Sequence, residues 1–533
     1  MFNNLKIPFY SFGLINFSIN LKDFLFLLPE IQLIVFISFF LIIFSVCVNH
    51  TNKKYTLLLD SINYLSLSSF ILIFLSLHYY LELNTYIYLF NSALYNGPFT
   101  IFFKKTILIF TFIIIYASKT FLEHHKITLC DYYVLFFCLT LGAFITISSN
   151  DFLTMYLGLE IQALSSYILA CFNTKSFSAE VGIKYFLTGS FSSALIIFGI
   201  SLITYTLGTQ NFSLISNHIM ILYILDIHFF FKFLLYFGLL CILFGLLIKL
   251  GVAPFHLWLA DIYEGSLLPA AIYFATVQKL VIFILFIRIF LFTFLEVFYI
   301  IQPLLIIFSL ISIIFGINLA FSELKIKRFL AYSSLNHIGF ILLGASLGLN
   351  GIKISLSYFI IYMILTFGAW LSLIYKIPKK LNSQCNEATI YTIKDIKDLI
   401  LITKNQPLFG LIININFLSM AGVPPLIGFS AKATIFTHIL CEILSYNNSL
   451  TLNLKFCYLF LVFICIFSSI LSTFYYLRLV KSNLVVMETN FRNYTPFTSY
   501  LSYIILFVFF INIFGHLFIK DLIQLIESIS YNV

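Results

Sequence analysis

Charged side chains are scarce in this sequence. Asp, Glu, Lys and Arg make up 10% of its 533 residues, whereas roughly 25% is usual for a soluble domain. Hydrophobic residues, by contrast, make up 61%. Because a soluble fold has no room to bury that much apolar surface, the composition excludes an ordinary soluble domain and indicates a protein that lies within a membrane.

The sequence also lacks the motifs that bind cofactors, metals and nucleic acids. It contains no GxGxxG segment, no Walker loop and no flavin or iron–sulfur ligand set, so we expect no redox centre in this chain. The nine cysteines show no CxxC or Cys/His spacing, which predicts no metal site. The net charge of +9 is scattered between apolar runs and forms no basic face, so a nucleic-acid partner is not expected.

The first residues do not look like a targeting segment. Residues 1–20 contain Lys6 but no Arg, and no A-x-A cleavage site follows a short apolar core. Imported mitochondrial proteins usually carry an Arg-rich presequence. This start therefore favours synthesis inside an organelle or in a bacterium, and the heavy use of Phe (66) and Tyr (33), with abundant Ile, Asn and Lys, suggests an AT-rich genome.

The apolar residues form runs long enough to cross a bilayer, for which a helix needs about 20 residues. The pattern predicts an all-α polytopic membrane protein of about 14 transmembrane helices, called spans 1 to 14 and surrounded by membrane lipids. With both termini outside, more Lys and Arg residues fall at inner than at outer ends, as the positive-inside rule requires. The predicted spans are 24–48, 56–80, 100–118, 131–149, 152–172, 180–207, 230–261, 267–293, 299–320, 325–345, 352–375, 408–445, 455–480 and 497–519.

Five ionisable residues inside these apolar spans are candidates for a function, namely Glu160, Lys184, Lys249, Lys279 and Lys432. A charge at the bilayer centre costs about 2.5–3.5 kcal/mol by insertion scales, so such residues usually face the protein interior or a water path. In the alternative interpretation, Glu160 pairs permanently with one lysine while the others snorkel to an interface. Lys184, near a helix end, fits that alternative best, whereas one acid cannot neutralise the three deeper lysines.

Spans 7 and 12 carry a second signal, because prolines fall inside them. Pro254 follows Lys249 by five residues, and Lys432 follows Pro425, the second residue of the Pro424-Pro425 pair, by seven. Proline removes a backbone donor and breaks the helix, and the freed carbonyls need partners in protein or water. Two broken helices five spans apart predict a repeat, although a single kink plus chance is the alternative.

Because five is an odd number, two five-span units would insert with opposite orientation, a pattern typical of transporters with ion sites near the midplane. We predict four regions: residues 1–130 with spans 1–3, residues 131–293 as the first inverted repeat, residues 299–481 as the second, and residues 482–533 with span 14 and the tail.

Histidines also exchange protons near neutral pH. His256, after the break in span 7, and His337, inside span 10, are therefore candidate relay residues.

Five segments, in this order, resemble the antiporter-like subunit 2 family of respiratory complex I, called subunit N in bacteria. The similarity covers roughly residues 24–519, and the segments together are highly specific. They are DFLTMYLGLEIQALSSYILA, SAEVGIKYFLTGSFSSALIIFGISL, KLGVAPFHLWLADIYEGS, KRFLAYSSLNHIGFILLG and LSMAGVPPLIGFSAK.

The resemblance implies a role for each buried ionisable residue. Glu160 corresponds to the family's span 5 glutamate, Lys249 and Lys432 to the lysines of the two broken helices, and Lys279 to the central lysine between them. Lys184, His256 and His337 also match family positions. A lysine at 432, where subunit 4 would have a glutamate, favours subunit 2 over its sister subunits.

The resemblance further implies a proton-pumping subunit of an NADH:ubiquinone reductase, without a redox centre of its own. FMN, iron–sulfur clusters and ubiquinone would then belong to partner subunits, and the neighbouring antiporter-like and small membrane subunits would be the direct partners. The expected location is the mitochondrial inner membrane, with a plastid or a bacterium as alternatives. Rival functions are a subunit of a multisubunit cation/proton antiporter and a structural spacer whose charges are locked in static pairs.

Overall fold

The structure is a computed structural model in which almost every described residue lies in a helix. It describes residues 21–48, 55–81, 87–125, 129–173, 176–224, 229–374, 377–378, 390–391, 394–399, 403, 407–445, 452–484 and 501–530. The all-α prediction is therefore confirmed, apart from two short hairpins described below.

The helices follow one another along the chain with short connections. One helical segment, residues 268–293, consists of two α-helices (α11 and α12), each followed by a π-helical turn, Phe274–Gln278 and Arg288–Thr293. The α-helices are α1 (Leu21–Phe26), α2 (Leu28–Val48), α3 (Tyr55–Leu81), α4 (Pro98–His125), α5 (Leu129–Ser148), α6 (Phe152–Cys171), α7 (Ser176–Leu207), α8 (Phe212–Ile224), α9 (Phe229–Leu250), α10 (Leu257–Gly265), α11 (Leu268–Tyr273), α12 (Lys279–Ile287), α13 (Phe298–Ser322), α14 (Ile326–Ala345), α15 (Leu349–Ile374), α16 (Pro407–Ala421), α17 (Ile427–Ser445), α18 (Leu452–Leu484), α19 (Leu501–Phe514) and α20 (Ile519–Ser530).

Each of the fourteen predicted spans corresponds to one helix or to a broken pair of helices. Within the described residues, 11 helical segments are long and apolar enough to cross a membrane. Spans 1 and 12 correspond to the shorter apolar helices α2, α16 and α17, and span 10 to α14. The polytopic architecture is confirmed, whereas the boundaries of the two inverted repeats stay a prediction.

Three features were not predicted from the sequence. The 13-residue helix α8 lies between spans 6 and 7, and the 12-residue helix α20 follows span 14. Two antiparallel hairpins join β1 (Ile87–Leu89) to β2 (Leu94–Asn96) and β3 (Ile377–Pro378) to β4 (Ile390–Tyr391). These elements are too short to change the helical pattern along the chain, which is why the span assignment still holds.

Both predicted breaks are present and have the same backbone geometry. Helices α9 and α16 each end in a glycine with positive φ, Gly251 (φ 72°) and Gly422 (φ 89°). The next residue, Val252 or Val423, donates its N–H to the carbonyl five positions earlier, at 3.1 and 3.2 Å. This is the Schellman arrangement, in which glycine adopts a left-handed conformation at low cost. The helix stops there, and a second helix begins a few residues later.

Small residues allow the helices around these breaks to pack closely. A Cβ on Gly199 of α7 would lie 2.5 Å from the carbonyl oxygen of Gly238 on α9. A Cβ on Gly316 of α13 would similarly lie 2.7 Å from the backbone nitrogen of Asn336 on α14. Close backbone approach through small residues is a common way for helices to associate in membranes, and here it fixes the helices that carry the candidate site.

The centre of the bundle is formed by residues 268–293 and by α15. Every residue from Leu268 to Thr293 is buried except Phe292, and helices α4, α5, α6, α8, α9 and α15 pack against this segment. A helix that is apolar on all sides must be enclosed by protein or lipid. Here protein encloses it, so Lys279, in the middle of this segment, is 2% exposed.

A buried ion pair joins two of the N-terminal helices, α2 and α4. Lys104 Nζ of α4 lies 2.5 Å from Glu30 Oε1 of α2 and donates to Asn96 Oδ1 at 2.8 Å. The exposed fractions of the two charged side chains are 1% and 4%. The sequence places Lys104 at an outer helix end but gives no sign of its partner, because Glu30 lies 74 residues earlier.

We expect Gly251→Ala to destabilise the fold more than Gly208→Ala. Both glycines have positive φ, at 72° and 73°, so each alanine costs about 1–2 kcal/mol of backbone strain. Only at Gly251 would the new Cβ also meet a side chain, Leu259 Cδ1 at 2.5 Å; at Gly208 nothing lies within 4 Å. Thermal unfolding of the purified variants measures the difference, and equal midpoints would show that the contact with Leu259 is unimportant.

Candidate functional site

Lys279 is held at the centre of the bundle by one hydrogen bond and one aromatic ring. Its Nζ donates to Ser334 Oγ of α14 at 2.9 Å and lies 5.4 Å from the centre of the Tyr263 ring. Ser334 in turn interacts with the Tyr362 hydroxyl of α15. These groups are polar but uncharged, so they solvate the ammonium without neutralising it, and they leave it free to exchange a proton.

His337 lies one turn after Ser334 on the same helix and continues the polar row. Its Nδ1 shares a hydrogen bond with the Tyr358 hydroxyl at 2.9 Å, and its Nε2 shares one with the Tyr476 hydroxyl at 3.2 Å. The Tyr362 ring lies 5.4 Å away. A histidine that is bonded at both ring nitrogens can pass a proton by changing its tautomer. The candidate relay residue is therefore placed among groups that suit this role.

Lys432 lies on the far side of His337, at the break between α16 and α17. Its Nζ donates to the Ala421 carbonyl at 2.8 Å and to Ser472 Oγ at 3.3 Å. Ala421 is the last residue of α16, so its carbonyl has lost its helical partner. The lysine thus satisfies a backbone group that the break leaves free. Both Lys279 and Lys432 act electrostatically on His337, which lies between them.

Glu160 and Lys249 form the other end of the row. Glu160 lies in α6, one turn after Tyr156, which interacts with it. Its charge acts on Lys249, but Glu160 Oε1 is buried and has no hydrogen-bond partner in the described part of the chain. The two groups are therefore near each other without being closed into an ion pair. The alternative of a permanent pair, like the relay, stays a prediction.

A small cavity connects Lys249 to the residue before Lys279. It has a volume of ≈ 20 Å³ and is lined by polar side chains that include Lys249, Tyr185 and Gln278. This is enough for about one water molecule. Gln278 Nε2 donates to the Tyr185 hydroxyl at 2.7 Å. The cavity thus brings Lys249 together with Gln278, which precedes Lys279 in the sequence.

Lys184 lies outside this row, in an ion-pair network at the inner end of the bundle. Its side chain is 43% exposed and pairs with Glu180 at 2.8 Å and with Asp261 at 3.0 Å. Asp261 also pairs with Arg328 at 3.1 Å, and Arg328 pairs with Glu264. The network joins α7, α10 and α14, so it connects residues of both predicted repeats. Lys184 stays a predicted translocation residue, at a half-exposed position.

The charge of Glu264 is held by this network. Burial alone would raise the pKa of the Glu264 carboxyl, but hydrogen bonds from Lys325 and Arg328 and their positive charges outweigh it, and the pKa is lowered. Lys325 Nζ lies 2.5 Å from Glu264 Oε1. The carboxylate therefore stays ionised near neutral pH.

His256, the second candidate relay histidine, is placed differently from His337. It is 5% exposed, and its ring lies 5.4 Å from the Phe315 ring. Its Nδ1 is buried without a hydrogen-bond partner among the described residues. These contacts connect His256 to none of the three buried lysines, so a relay role through it stays a prediction.

Several residues of the row carried no signal in the sequence. Ser334, Tyr358, Tyr362, Tyr476 and Gln278 are common polar or aromatic residues in a chain that is rich in both. Hydrogen bonds of His337 join α14 to Tyr358 of α15 and to Tyr476 of α18, and Gln278 bonds to Tyr185 of α7. These contacts between helices bring the residues together, and no sequence pattern indicates them. A polar residue inside an apolar span was the one available clue, and Gln278 beside Lys279 was its clearest instance.

Comparisons with known proteins identify the family. Residues 149–445 match the transmembrane family described as NADH:quinone oxidoreductase/Mrp antiporter. The chain is 33% identical to NADH-quinone oxidoreductase subunit N of Pelagibacter ubique over 463 residues, 86% of this chain and 88% of that protein. The chain belongs to this family. It is also 32% identical to NADH-ubiquinone oxidoreductase chain 2 of Arabidopsis thaliana over 469 residues, 86% of each chain.

Family membership confirms the resemblance drawn from the five sequence segments. The fold agrees as well: a chain of respiratory complex I from Thermus thermophilus, solved with bound aureothin, superposes with a TM-score of 0.69 at 20% identity. The superposition covers 93% of this chain and 99% of the Thermus thermophilus chain. The matched region contains all five ionisable residues and both breaks. The roles of the individual residues stay predictions.

We expect Asp261→Asn to weaken the inner ion-pair network and Glu180→Gln to leave it nearly unchanged. Asp261, 27% exposed, is shared by two cations, whereas Glu180, 57% exposed, pairs with Lys184 alone among the described residues. An exposed pair contributes about 0–1 kcal/mol, so Glu180→Gln should lie within about 0.5 kcal/mol of the wild type, and Asp261→Asn should cost about 1 kcal/mol more. Thermal unfolding at low and high salt measures both; equal costs would contradict a shared role for Asp261.

Proposed function

We propose that this chain is a proton-translocating, antiporter-like membrane subunit of NADH:quinone oxidoreductase, respiratory complex I. In this role it couples quinone reduction in partner subunits to proton pumping through its own buried residues. The observation that carries the proposal is the row Glu160, Lys249, Lys279, His337 and Lys432 across the bundle interior, each buried or partly buried. Membership of the family of subunit N and chain 2 supports it.

A proton would move along this row in short steps between neighbouring groups. From Lys249 it would pass through the water-sized cavity beside Gln278 to Lys279. The Ser334 hydroxyl, bonded to Lys279 Nζ at 2.9 Å, and the Tyr362 hydroxyl lead on to His337. The histidine, bonded to two tyrosine hydroxyls, would deliver the proton towards Lys432.

The switch that drives these steps would be the Glu160 and Lys249 pair. Two unit charges about 4 Å apart at an effective dielectric near 20 attract by about 4 kcal/mol, and this attraction holds the lysine protonated when the pair is closed. Moving one charge across 100 mV costs about 2.3 kcal/mol. Opening the pair therefore costs about 4 kcal/mol and weakens the hold of Lys249 on its proton by more than the about 2.3 kcal/mol that transfer against 100 mV requires. The unpaired Glu160 Oε1 resembles the open state.

The energy for opening the pair would come from other subunits. On this proposal FMN, iron–sulfur clusters and ubiquinone reside in partner subunits, and this chain contributes to the translocase without a redox centre. Its neighbours would be other antiporter-like and small membrane subunits of the complex. The location we propose is the mitochondrial inner membrane, supported by the plant chain 2 relatives; bacterial subunit N relatives are as similar.

The alternative is a subunit of a multisubunit cation/proton antiporter, because the matched family also includes Mrp antiporters. The composition of the native complex distinguishes the two. Co-purification with flavin and iron–sulfur proteins supports the complex I assignment, whereas a complex composed of antiporter subunits alone would overturn it.

Lys249→Met should abolish coupled proton pumping in the assembled complex. The substitution keeps the length of the side chain but removes the charge that pairs with Glu160, so the first proton acceptor of the row is lost. The matched control is Lys232→Met, which removes a lysine from the outer end of the same helix, α9, and should keep pumping. Proton uptake per electron in reconstituted vesicles is the measurement. Full pumping by an assembled Lys249→Met complex would disprove the relay.

Ser334→Ala should slow proton translocation by about tenfold. The hydroxyl accepts the hydrogen bond of Lys279 Nζ, and a hydrogen bond to a charged group contributes about 1.5–3 kcal/mol. Ser372→Ala is the control, because Ser372 is equally buried and, within the described part of the chain, its hydroxyl bonds to the Ala369 carbonyl of its own helix alone. A Ser334→Ala complex that pumps at the rate of Ser372→Ala would exclude the hydroxyl from the route.

A further inference from the structure

A cavity of ≈ 160 Å³ lies at the predicted outer end of the bundle, away from the proton row. It is bounded by the ends of α5 and of residues 268–293, by the start of α8 and by β1 and β2. Its polar lining includes Arg288, Tyr95, Asn150, Ser213, Ser216 and Thr293. At about 30 Å³ per molecule of liquid water, the volume would hold about five waters or one larger polar group.

Arg288 supplies a buried positive charge to this cavity. The residue is 6% exposed, one guanidinium nitrogen donates to the Ile147 carbonyl, and the guanidinium lies 5.9 Å from the centre of the Tyr95 ring. A guanidinium carries five N–H donors, one nitrogen is bonded to the Ile147 carbonyl, and Arg288 lines the cavity. A buried charge is costly unless it is paired, and no carboxylate is among the residues that line the cavity.

The start of α8 adds a smaller positive potential, because the Phe212 and Ser213 N–H groups already donate, to the Asn150 carbonyl at 2.8 Å and to Asn211 Oδ1 at 3.0 Å. Helix α8 has 13 residues, and its first turn, from Phe212 to Ser216, lines the cavity. The N-terminal end of a helix carries a partial positive charge and favours anions. The Ser213 and Ser216 hydroxyls donate to nearby groups of the same segment, and a hydroxyl can rotate to meet another acceptor. A guanidinium, a helix start and hydroxyls without an acid fit an anion and not a cation.

We propose that this cavity binds the phosphate group of an anionic phospholipid from the outer leaflet. The cavity lies where helices end, at the end of the bundle that the charge pattern predicts to be outside. Tyr88, which lines it, and Leu214, in the first turn of α8, are 55% and 47% exposed. Exposed apolar and aromatic side chains near helix ends provide a surface for acyl chains. A zwitterionic headgroup fits less well, because no lining carboxylate is present to receive its cation.

Arginine suits this role because its planar fork binds a phosphate through two parallel hydrogen bonds. The site is independent of proton translocation, since none of its lining residues belongs to the row of buried lysines. Asp151 follows Asn150 in the sequence but is not among the lining residues. The phosphate therefore has no competing carboxylate within the cavity itself.

The experiment compares lipid binding by the intact membrane complex and its variants. Wild type, Arg288→Gln, Arg288→Lys and the control Lys520→Gln, an exposed lysine at the same end, are delipidated and titrated with phosphatidylglycerol. Thermal unfolding and native mass spectrometry report binding. We expect Arg288→Gln to lower the affinity at least tenfold, Arg288→Lys to lower it less, and Lys520→Gln to match the wild type.

Two further arms separate the sources of the phosphate and keep the test decisive. Inorganic phosphate and phosphatidylcholine are titrated in parallel, and both should bind the wild type more weakly than phosphatidylglycerol. Stabilisation by inorganic phosphate alone would overturn the lipid assignment. Equal phosphatidylglycerol binding by wild type and Arg288→Gln would overturn the site, and if Arg288→Gln does not assemble, equal binding by wild type and Arg288→Lys would do so.

Discussion

The cost of burying a charge in a bilayer is the constraint on which this structure depends. Lys279 and Lys432 are almost fully enclosed, at 2% and 4% exposure, and neither has a carboxylate partner among the described residues. Each is solvated by serine hydroxyls, a backbone carbonyl or an aromatic ring. Such partners lower the cost of burial without fixing the proton, and a group that must exchange its proton needs this balance.

The helix breaks also help to solvate a buried charge. A continuous helix satisfies all of its own carbonyls, so it offers nothing to a buried ammonium. At the end of α16 the Schellman turn frees the Ala421 carbonyl, which then accepts from Lys432. At the matching turn after α9, the Trp258 ring N–H donates a hydrogen bond to the Ile248 carbonyl at 3.2 Å. In both breaks a carbonyl near the end of the first helix thus accepts a side-chain hydrogen bond. The donor is Lys432 in one break and Trp258, which lines the Lys249 cavity, in the other.

The partners of the other charged side chains depend on how deeply each side chain is buried. At the inner end, half-exposed Lys184 and Arg328 share carboxylates in a network that links several helices. Deep between the N-terminal helices, Lys104 is neutralised directly by Glu30. Arg288 has neither kind of partner in its cavity, and this distinguishes it from the structural pairs. Fixed pairs hold helices together, whereas the unpaired cations lie where protons or anions are expected.

The sequence by itself determined the membrane class, the fourteen spans, the two breaks and the buried ionisable residues. These follow from apolar run length, from proline and glycine, and from the rarity of charge in such runs, all of which are properties read along the chain. Only the tertiary structure decided which groups meet: Lys279 with Ser334, His337 with two tyrosines, Lys104 with Glu30, and Lys184 with an exposed network. Contacts between helices that are distant in sequence depend on packing in three dimensions, which leaves no periodic trace in a single chain.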